Sequence, residues 1–258
     1  MPLITAVIIV KDEEERVVKA IASARAVADE IIVVDDHSTD RTAEVARGLG
    51  CKVVIRALND AFGAQRNAGA ALARNDWILM IDADEVIPDK SLEEIRRLFA
   101  NEVDSDALSV RIVNVMFGQP LYYSTGNCRY TRLYRRSRCS FTGDVHERLG
   151  IEGKVMSVNV EIWNDIAKSM DHIFVKTLRY TEIEARRYCD SVPSVSERMI
   201  RYELTWRSLK RFWKHYVKHK GFKDGFSGFI LSIMNTIGPQ IRMLKVWEQA
   251  KRQGKLVP

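Results

Sequence analysis

Asp76-Trp-Ile-Leu-Met-Ile-Asp-Ala-Asp-Glu85 runs from unbroken apolar residues straight into three acids, Asp82, Asp84 and Glu85. So short and uniform an apolar run predicts a strand buried on both faces of a mainly parallel sheet. In open α/β sheets, ligands bind beyond the carboxyl ends of the strands, where these acids fall. Successive side chains of an extended chain alternate, so Asp82 and Asp84 can serve one site only if the strand bends there. Clustered carboxylates without neighbouring Cys or His favour a hard cation, Mg²⁺ or Mn²⁺, of the kind that holds phosphate. A D-x-D alone is more often an acidic turn. Its place after a buried strand, and the residues that precede it, give it weight.

Working back to the start, residues 3–10 are β-branched and read as a first buried strand. Asp12 followed by Glu15 predicts a capping-box start to a helix whose apolar face is Val17, Val18, Ile21 and Ala24. Residues 30–34 form a second strand that closes on Asp35-Asp-His-Ser-Thr-Asp40, and the next helix stops at Gly50. Residues 51–55 make a third strand, and a small-residue helix over 64–74 leads into the apolar run at 77. The pattern is β-α-β-α-β-α-β, a Rossmann-type, doubly wound sheet. Beyond it come a helix with Leu92, Ile95, Leu98 and Phe99 on one side, strands near 108–112, 130–136 and 155–163, and helices from about 175. The expected class is α/β, a mostly parallel sheet flanked by helices. The expected domains are 1–174, nucleotide-binding and catalytic, and 175–258, a helical C-terminal extension.

Charge is unevenly spread. Residues 201–258 hold 13 Lys and Arg against 3 Asp and Glu, a balance of +10, although the whole chain carries only +6. The tail's expected partner is therefore anionic. Trp206, Phe212, Trp213, Tyr216 and Phe222 interleave with Lys and Arg, and Phe226, Phe229, Ile230, Ile233, Met234 and Ile237 follow at helical spacing. The segment 206–237 reads as a surface for an anionic membrane. No nucleic-acid motif occurs, so nucleic acid is not an expected partner. The four cysteines show no zinc spacing, and no apolar stretch approaches the ~20 residues of a spanning helix. Residues 1–5 lack a basic signal region, and the expected location is cytoplasmic, peripheral on the inner face of the cell membrane.

The topology turns Asp12, Asp35, Arg66 and the Asp82-Ala-Asp84 terminus toward one edge of the sheet. Asp35 can accept from a base N–H, Arg66 can reach phosphate, and Asp84 can ligate a metal. Each has an ordinary structural alternative: loop capping for Asp35, a surface charge for Arg66.

Ile9-Val-Lys-Asp-Glu-Glu14, Asp35-Asp-His-Ser-Thr-Asp40, Gln65-Arg-Asn-Ala-Gly69 and Asp82-Ala-Asp-Glu85 resemble, in order, the motifs of inverting family 2 glycosyltransferases of the GT-A fold. Phe141-Thr-Gly-Asp-Val-His-Glu147, His172 and Gly221-Phe-Lys-Asp-Gly225 resemble the branch containing lipopolysaccharide-core β-1,4-glucosyltransferases. The resemblance implies a nucleotide-sugar donor, usually a UDP-sugar, and a lipid-linked or glycan acceptor. It makes Asp35 the base-binding acid, Arg66 a donor-site cation, Asp82 the first acid of D-x-D and Asp84 its metal-binding second acid. His172 becomes a further metal ligand or a diphosphate contact. Lys11-Asp12 and Asp36-His37 depart from the commoner family residues, which leaves donor identity open.

Inverting transfer needs a base for the acceptor's proton, and carboxylates suit this role. Glu147 is the first candidate and Asp144 the second. The rival readings are a glycosyltransferase acting on a peptide side chain, a sugar nucleotidyltransferase, and an inactive nucleotide-sugar-binding module.

Overall fold

The computed structural model describes residues 3–58, 62–124, 126, 128–142 and 148–258. The chain forms two compact units, one of Met1–Val113 with Cys128–Asn164, the other of Asn114–Asn127 with Asp165–Pro258.

In the first unit, β1 (Ile4–Val10), α1 (Arg16–Arg25), β2 (Glu30–Asp35), α2 (Thr42–Gly48), β3 (Lys52–Ile55), α3 (Phe62–Ala71) and β4 (Trp77–Asp82) follow the expected alternation. β5 (Glu85–Val86), α4 (Asp89–Phe99) and β6 (Ala107–Met116) come next, β6 running on into the second unit. The strands β1 to β4 pair in parallel in the order β3-β2-β1-β4. With β7 (Gln119–Leu121) belonging to the second unit, β8 (Arg129–Arg135) closes antiparallel on β4, and the sheet continues through β6 and β11 (Val155–Ala167) to β5. A separate antiparallel pair, β9 (Cys139–Thr142) and β10 (Arg148–Ile151), sets Thr142 opposite Arg148.

Alternate residues of the parallel strands enter two cores, as a sheet covered on both faces requires. Ile4, Ala6 and Ile8 of β1 pack with Val17 and Ile21 of α1 and with Leu92, Ile95 and Phe99 of α4. Val7, Ile32, Val34, Ile78 and Met80 pack on the other face with Ala70. The apolar run 77–81 is buried throughout, and Trp77 meets Phe99 edge-on at 5.0 Å between centroids.

Asp12 is a correction to the expected capping box. Its φ is +52°, and α1 starts only at Arg16, whose preceding Glu15 makes no side-chain cap. The reason is tertiary. Asp12 Oδ1 accepts from the backbone N–H of Thr39 (2.7 Å) and from its hydroxyl, while the Asp12 N–H donates to Ser38 Oγ. The amides of Glu13 and Glu14 donate to Thr42 and Asp40. The 35–42 loop thus satisfies donors that a local cap would otherwise take.

In the second unit, β7 pairs with the end of β6. α5 (Met170–Ser191) is capped by Ser169, whose hydroxyl accepts from the His172 N–H. After β12 (Val195–Ser196), α6 (Glu197–Tyr202) leads through a π-helical turn, Glu203–Arg207, to α7 (Ser208–Trp213) and a second π-helical turn, Lys214–Lys218. A 3-10 turn, Gly221–Asp224, opens α8 (Gly225–Arg252), and β13 (Leu256–Val257) pairs with β12. Ala185, Cys189, Ile200, Met243, Val246 and Ala250 form one apolar cluster, and Met116, Leu121, Ala167 and Leu231 another. Ile230, Ile233, Met234 and Ile237 are half-buried along α8, so much of this stripe is covered by its own unit. Among the described residues no helix is long and apolar enough to cross a membrane.

Candidate active site

The register fixes which side chains share the carboxyl edge of the sheet. Val10 pairs with Asp35, Asp35 with Ile55, and Ile9 with Asp82. Asp35 and Asp82 therefore stand at the same edge, two strand spacings or about 10 Å apart.

Asp82 is held from both sides. Its Oδ1 lies 3.0 Å from Arg66 Nη2, and its Oδ2 lies 3.1 Å from Arg132 Nη2. The same Arg132 nitrogen donates to Glu85 Oε1, and Glu85 Oε2 accepts the Asp82 backbone N–H at 2.9 Å. This closed set bends the chain between 82 and 85, the bend that the alternation of Asp82 and Asp84 requires. β5 then leaves the turn by pairing Glu85 with Asn164 of β11. Asp84 lies half-buried inside the bend.

The charges are set by this packing. Burial works against the Asp82 carboxylate, but Arg132 and Arg66 outweigh it and hold its pKa below the usual range. Burial pushes Glu85, with 2% of its surface exposed, up to about 7; Arg132 opposes this, and Asp82 and Asp84 reinforce it. Arg132 stays protonated because Glu85 and Asp82 more than offset its own burial.

Asp35 is 1% exposed at the end of β2. Its Oδ1 accepts the Ser38 N–H at 2.8 Å, whereas Oδ2 is buried with no hydrogen-bond partner among the described residues. A buried acceptor left unmade is costly, so Asp35 Oδ2 can take a donor from a bound molecule. Its neighbour Asp36 is occupied otherwise: Lys11 Nζ sits 2.9 Å from Oδ2, and the Leu58 N–H donates to Oδ1.

Four residues of Gln65-Arg-Asn-Ala-Gly69 on α3 have separate tasks. Gln65 bonds the Arg56 guanidinium and carbonyl beyond β3. Arg66 reaches Asp82 and lies over the Phe141 ring at 5.4 Å. Asn67 exchanges two hydrogen bonds with the Phe141 backbone, at 2.8 and 2.9 Å, pinning β9 to the helix. Gly69 lets the helix lie against the sheet, since a Cβ there would stand 2.3 Å from Val7 Cγ1 and 2.9 Å from Val34 Cγ2.

Residues 5–150, more than half the chain, match glycosyl transferase family 2. The protein belongs to that family. This glycosyltransferase is similar over its length to an uncharacterized glycosyltransferase of Rickettsia felis, 28% identical, with 100% of this chain and 94% of the other covered. A second, from Rickettsia bellii, is 29% identical over 95% of this chain and 86% of its own. Among solved structures it is similar to S. aureus TarS 1–349 in complex with UDP-GlcNAc, 14% identical with a TM-score of 0.48, covering 98% of this chain and 92% of that one. The glycosyltransferase has the expected mixed α/β architecture, a mainly parallel sheet between helices with a helical C-terminal region.

Of the sequence-based site residues, the structure brings Asp35, Arg66, Asp82 and Asp84 to one edge of the glycosyltransferase sheet. Asp12 lies just past β1 with its carboxylate engaged by Thr39. His172 is the third residue of α5, in the second unit. Asp144 and Glu147 lie outside the described residues. Among the described residues, no three His, Cys, Asp or Glu side chains gather as a metal cage. Asp84, in the bend, does fit a hard cation completed by donor phosphates, because Mg²⁺ commonly takes only one or two carboxylates and fills its shell with phosphate and water. Sequence reasoning missed Arg132 and Asn67. Arg132 sits within an alternating ribbon, and only the β4–β8 pairing brings it to the acids.

Proposed function

We propose that this glycosyltransferase is an inverting, metal-dependent enzyme that transfers a sugar from a nucleotide sugar, in first place a UDP-sugar, to a lipid-linked or glycan acceptor. The carrying observation is the unpartnered Asp35 Oδ2, buried on the same edge as Asp82 and Arg66. A uracil N–H would complete it, which sets the base at β2 and the diphosphate toward β4. Asp12, just past the end of β1 next to β2, would lie at the base end. Asp84 is the residue that would hold Mg²⁺ or Mn²⁺, and the resemblance makes His172 a further ligand or a diphosphate contact. Such an ion, when bound, neutralises charge on the departing nucleotide diphosphate.

The acceptor oxygen attacks the anomeric carbon as the bond to the diphosphate breaks on the opposite face. Glu147, or failing it Asp144, takes the hydroxyl proton. In this reading residues 1–174 carry donor binding and chemistry, while 175–258 meet the acceptor at the cytoplasmic face of the membrane, with 206–237 toward anionic lipid. The motifs Phe141–Glu147 and Gly221–Gly225 favour lipopolysaccharide-core or related glycolipid synthesis.

A thermal-shift panel of nucleotide sugars, with and without Mn²⁺, tests the donor. A uridine nucleotide should raise the melting temperature of the wild type and do so much less for Asp35→Ala, since ligands that bind only the native state stabilise it. Equal shifts for adenosine, guanosine and uridine diphosphates, or an undiminished shift in the variant, would sink the base-acceptor role of Asp35.

A further inference from the structure

We propose that the outer face of the helical run 197–218, together with Phe222 and Phe226, seats on an anionic lipid bilayer. The inference rests on the reading of the acceptor as lipid-linked and names the surface that would bring the enzyme to it.

Gly221-Phe-Lys-Asp-Gly225 divides into two kinds of residue. A Cβ at 221 would stand 2.7 Å from the His215 carbonyl oxygen. Asp224, buried, accepts the backbone N–H groups of Tyr122, Tyr123 and Ser124 and the Ser124 hydroxyl. Gly225 has φ +64°. Packing within the unit accounts for these three. It leaves Phe222 and Lys223 exposed, with half of Phe222 in solvent and Lys223 Nζ lying 5.4 Å from the Tyr123 ring centre.

Phe222 is the rim of a larger aromatic layer. Its ring lies 6.3 Å from Tyr216; Tyr216 and Phe212 stack at 5.3 Å, both meet Phe229, and Phe229 stacks on Phe226. Beside this layer Tyr202, Trp206, Leu209 and Trp213 recur at intervals of four, three and four, one line along a helix. Trp206, Leu209 and Trp213 are each more than 60% exposed, and Phe226 is 76% exposed. The inward face carries Ile200, Glu203 and Ser208, all buried, with Glu203 held by Arg207 and Arg211. The helix thus turns its largest apolar residues outward and two polar ones inward, the reverse of a helix packed on a core.

Charge selects the occupant. From 198 to 223 the only acid is the buried, paired Glu203, while Arg207, Lys210, Lys214, Lys218, Lys220 and Lys223 are exposed. A second copy docking by the same face would set these cations against one another. An anionic bilayer attracts them, and its headgroup region suits Trp206 and Trp213.

Flotation of the full chain with vesicles of equal parts phosphatidylcholine and phosphatidylglycerol tests this. The protein should float with them at low salt, stay dense with phosphatidylcholine alone, and be released by high salt. Trp206→Ser with Trp213→Ser, or Lys210→Glu with Lys214→Glu, should lower partitioning by at least about tenfold. Both variants should keep the wild-type melting temperature and donor-dependent release of nucleoside diphosphate, because the changed residues are exposed. Wild-type protein that stays dense with the anionic vesicles, variants that float like wild type, or a wild-type dimer that Trp213→Ser breaks would overturn the proposal. Retained flotation without donor turnover would instead sink the glycosyl-transfer reading and leave the face standing.

Discussion

Arg132 Nη2 stands 3.1 Å from Asp82 Oδ2, on the carboxylate oxygen opposite the one that Arg66 holds. The first acid of the D-x-D is therefore bound by two arginines of its own chain. Both arginine side chains are nearly buried, at 11% and 13% exposure, while Asp82 keeps 28%. Asp82→Asn leaves two buried guanidinium groups short of an anion. We expect a loss of roughly 2–3 kcal/mol in urea denaturation, below the value for a fully buried pair because Asp82 retains solvent. Arg132→Lys keeps the charge but not the planar guanidinium whose Nη2 reaches both Asp82 and Glu85. It should therefore recover more stability than Arg132→Met while still weakening donor binding, read by calorimetric titration. Wild-type donor affinity in Arg132→Met would show that Arg132 does not position the strand-end acids.

Gly69 controls how closely α3 lies on β1 and β2, and Arg66 and Asn67 ride on that helix. The added methyl of Gly69→Ala meets Val7 and Val34 within contact distance, so the helix must lift. A destabilisation of about 1–3 kcal/mol is expected from overpacking of this kind. Donor affinity should fall with it, since Arg66 moves away from Asp82. Asn67→Ala separates the two effects. It removes the bonds to Phe141 without lifting the helix, and should alter turnover more than donor binding. Urea melts and steady-state kinetics on the pair of variants give the comparison.

Asp84→Asn retains shape and removes a charge from the site we propose for the cation. The fold should persist, with an unchanged far-ultraviolet spectrum. Turnover should fall by about 10² or more, in keeping with several kcal/mol of charge stabilisation from a bound ion. Excess EDTA should reproduce the loss in the wild type, and added Mn²⁺ should restore it. Full activity in EDTA, or in Asp84→Asn, would remove the metal from the mechanism.

The strand-end acids were legible because burial writes itself locally. Residues 77–81 are apolar without interruption and become a central strand, and Asp35 and Asp82 end their strands as the pattern predicts. What stayed hidden depends on partners distant in sequence. Arg132 looks like one basic residue in an alternating ribbon, and its role exists only because β8 lies antiparallel to β4. Asp12 followed by Glu15 reads as a capping box, yet the 35–42 loop claims Asp12 first. Helical periodicity on α8 shows an apolar face but cannot say that its own unit half-covers Ile233 and Ile237, while Trp206 and Trp213 stay outward. A hydrophobic stripe gives a direction and not a neighbour.

The proposed base yields the sharpest kinetic test. β9 is anchored by Asn67 through Phe141, and Thr142 pairs opposite Arg148 of β10. If Glu147 takes the acceptor proton, Glu147→Gln keeps size and polarity but cannot accept that proton. Donor affinity by calorimetric titration should stay near wild type, while kcat for transfer falls by roughly 10²–10⁴. Hydrolysis of the donor by water should fall as well, because water too must lose a proton as it attacks. Asp144→Asn, made in parallel, should be the milder variant. Wild-type transfer by Glu147→Gln together with collapse in Asp144→Asn would move the base to Asp144, and wild-type transfer by both would take the base out of this segment.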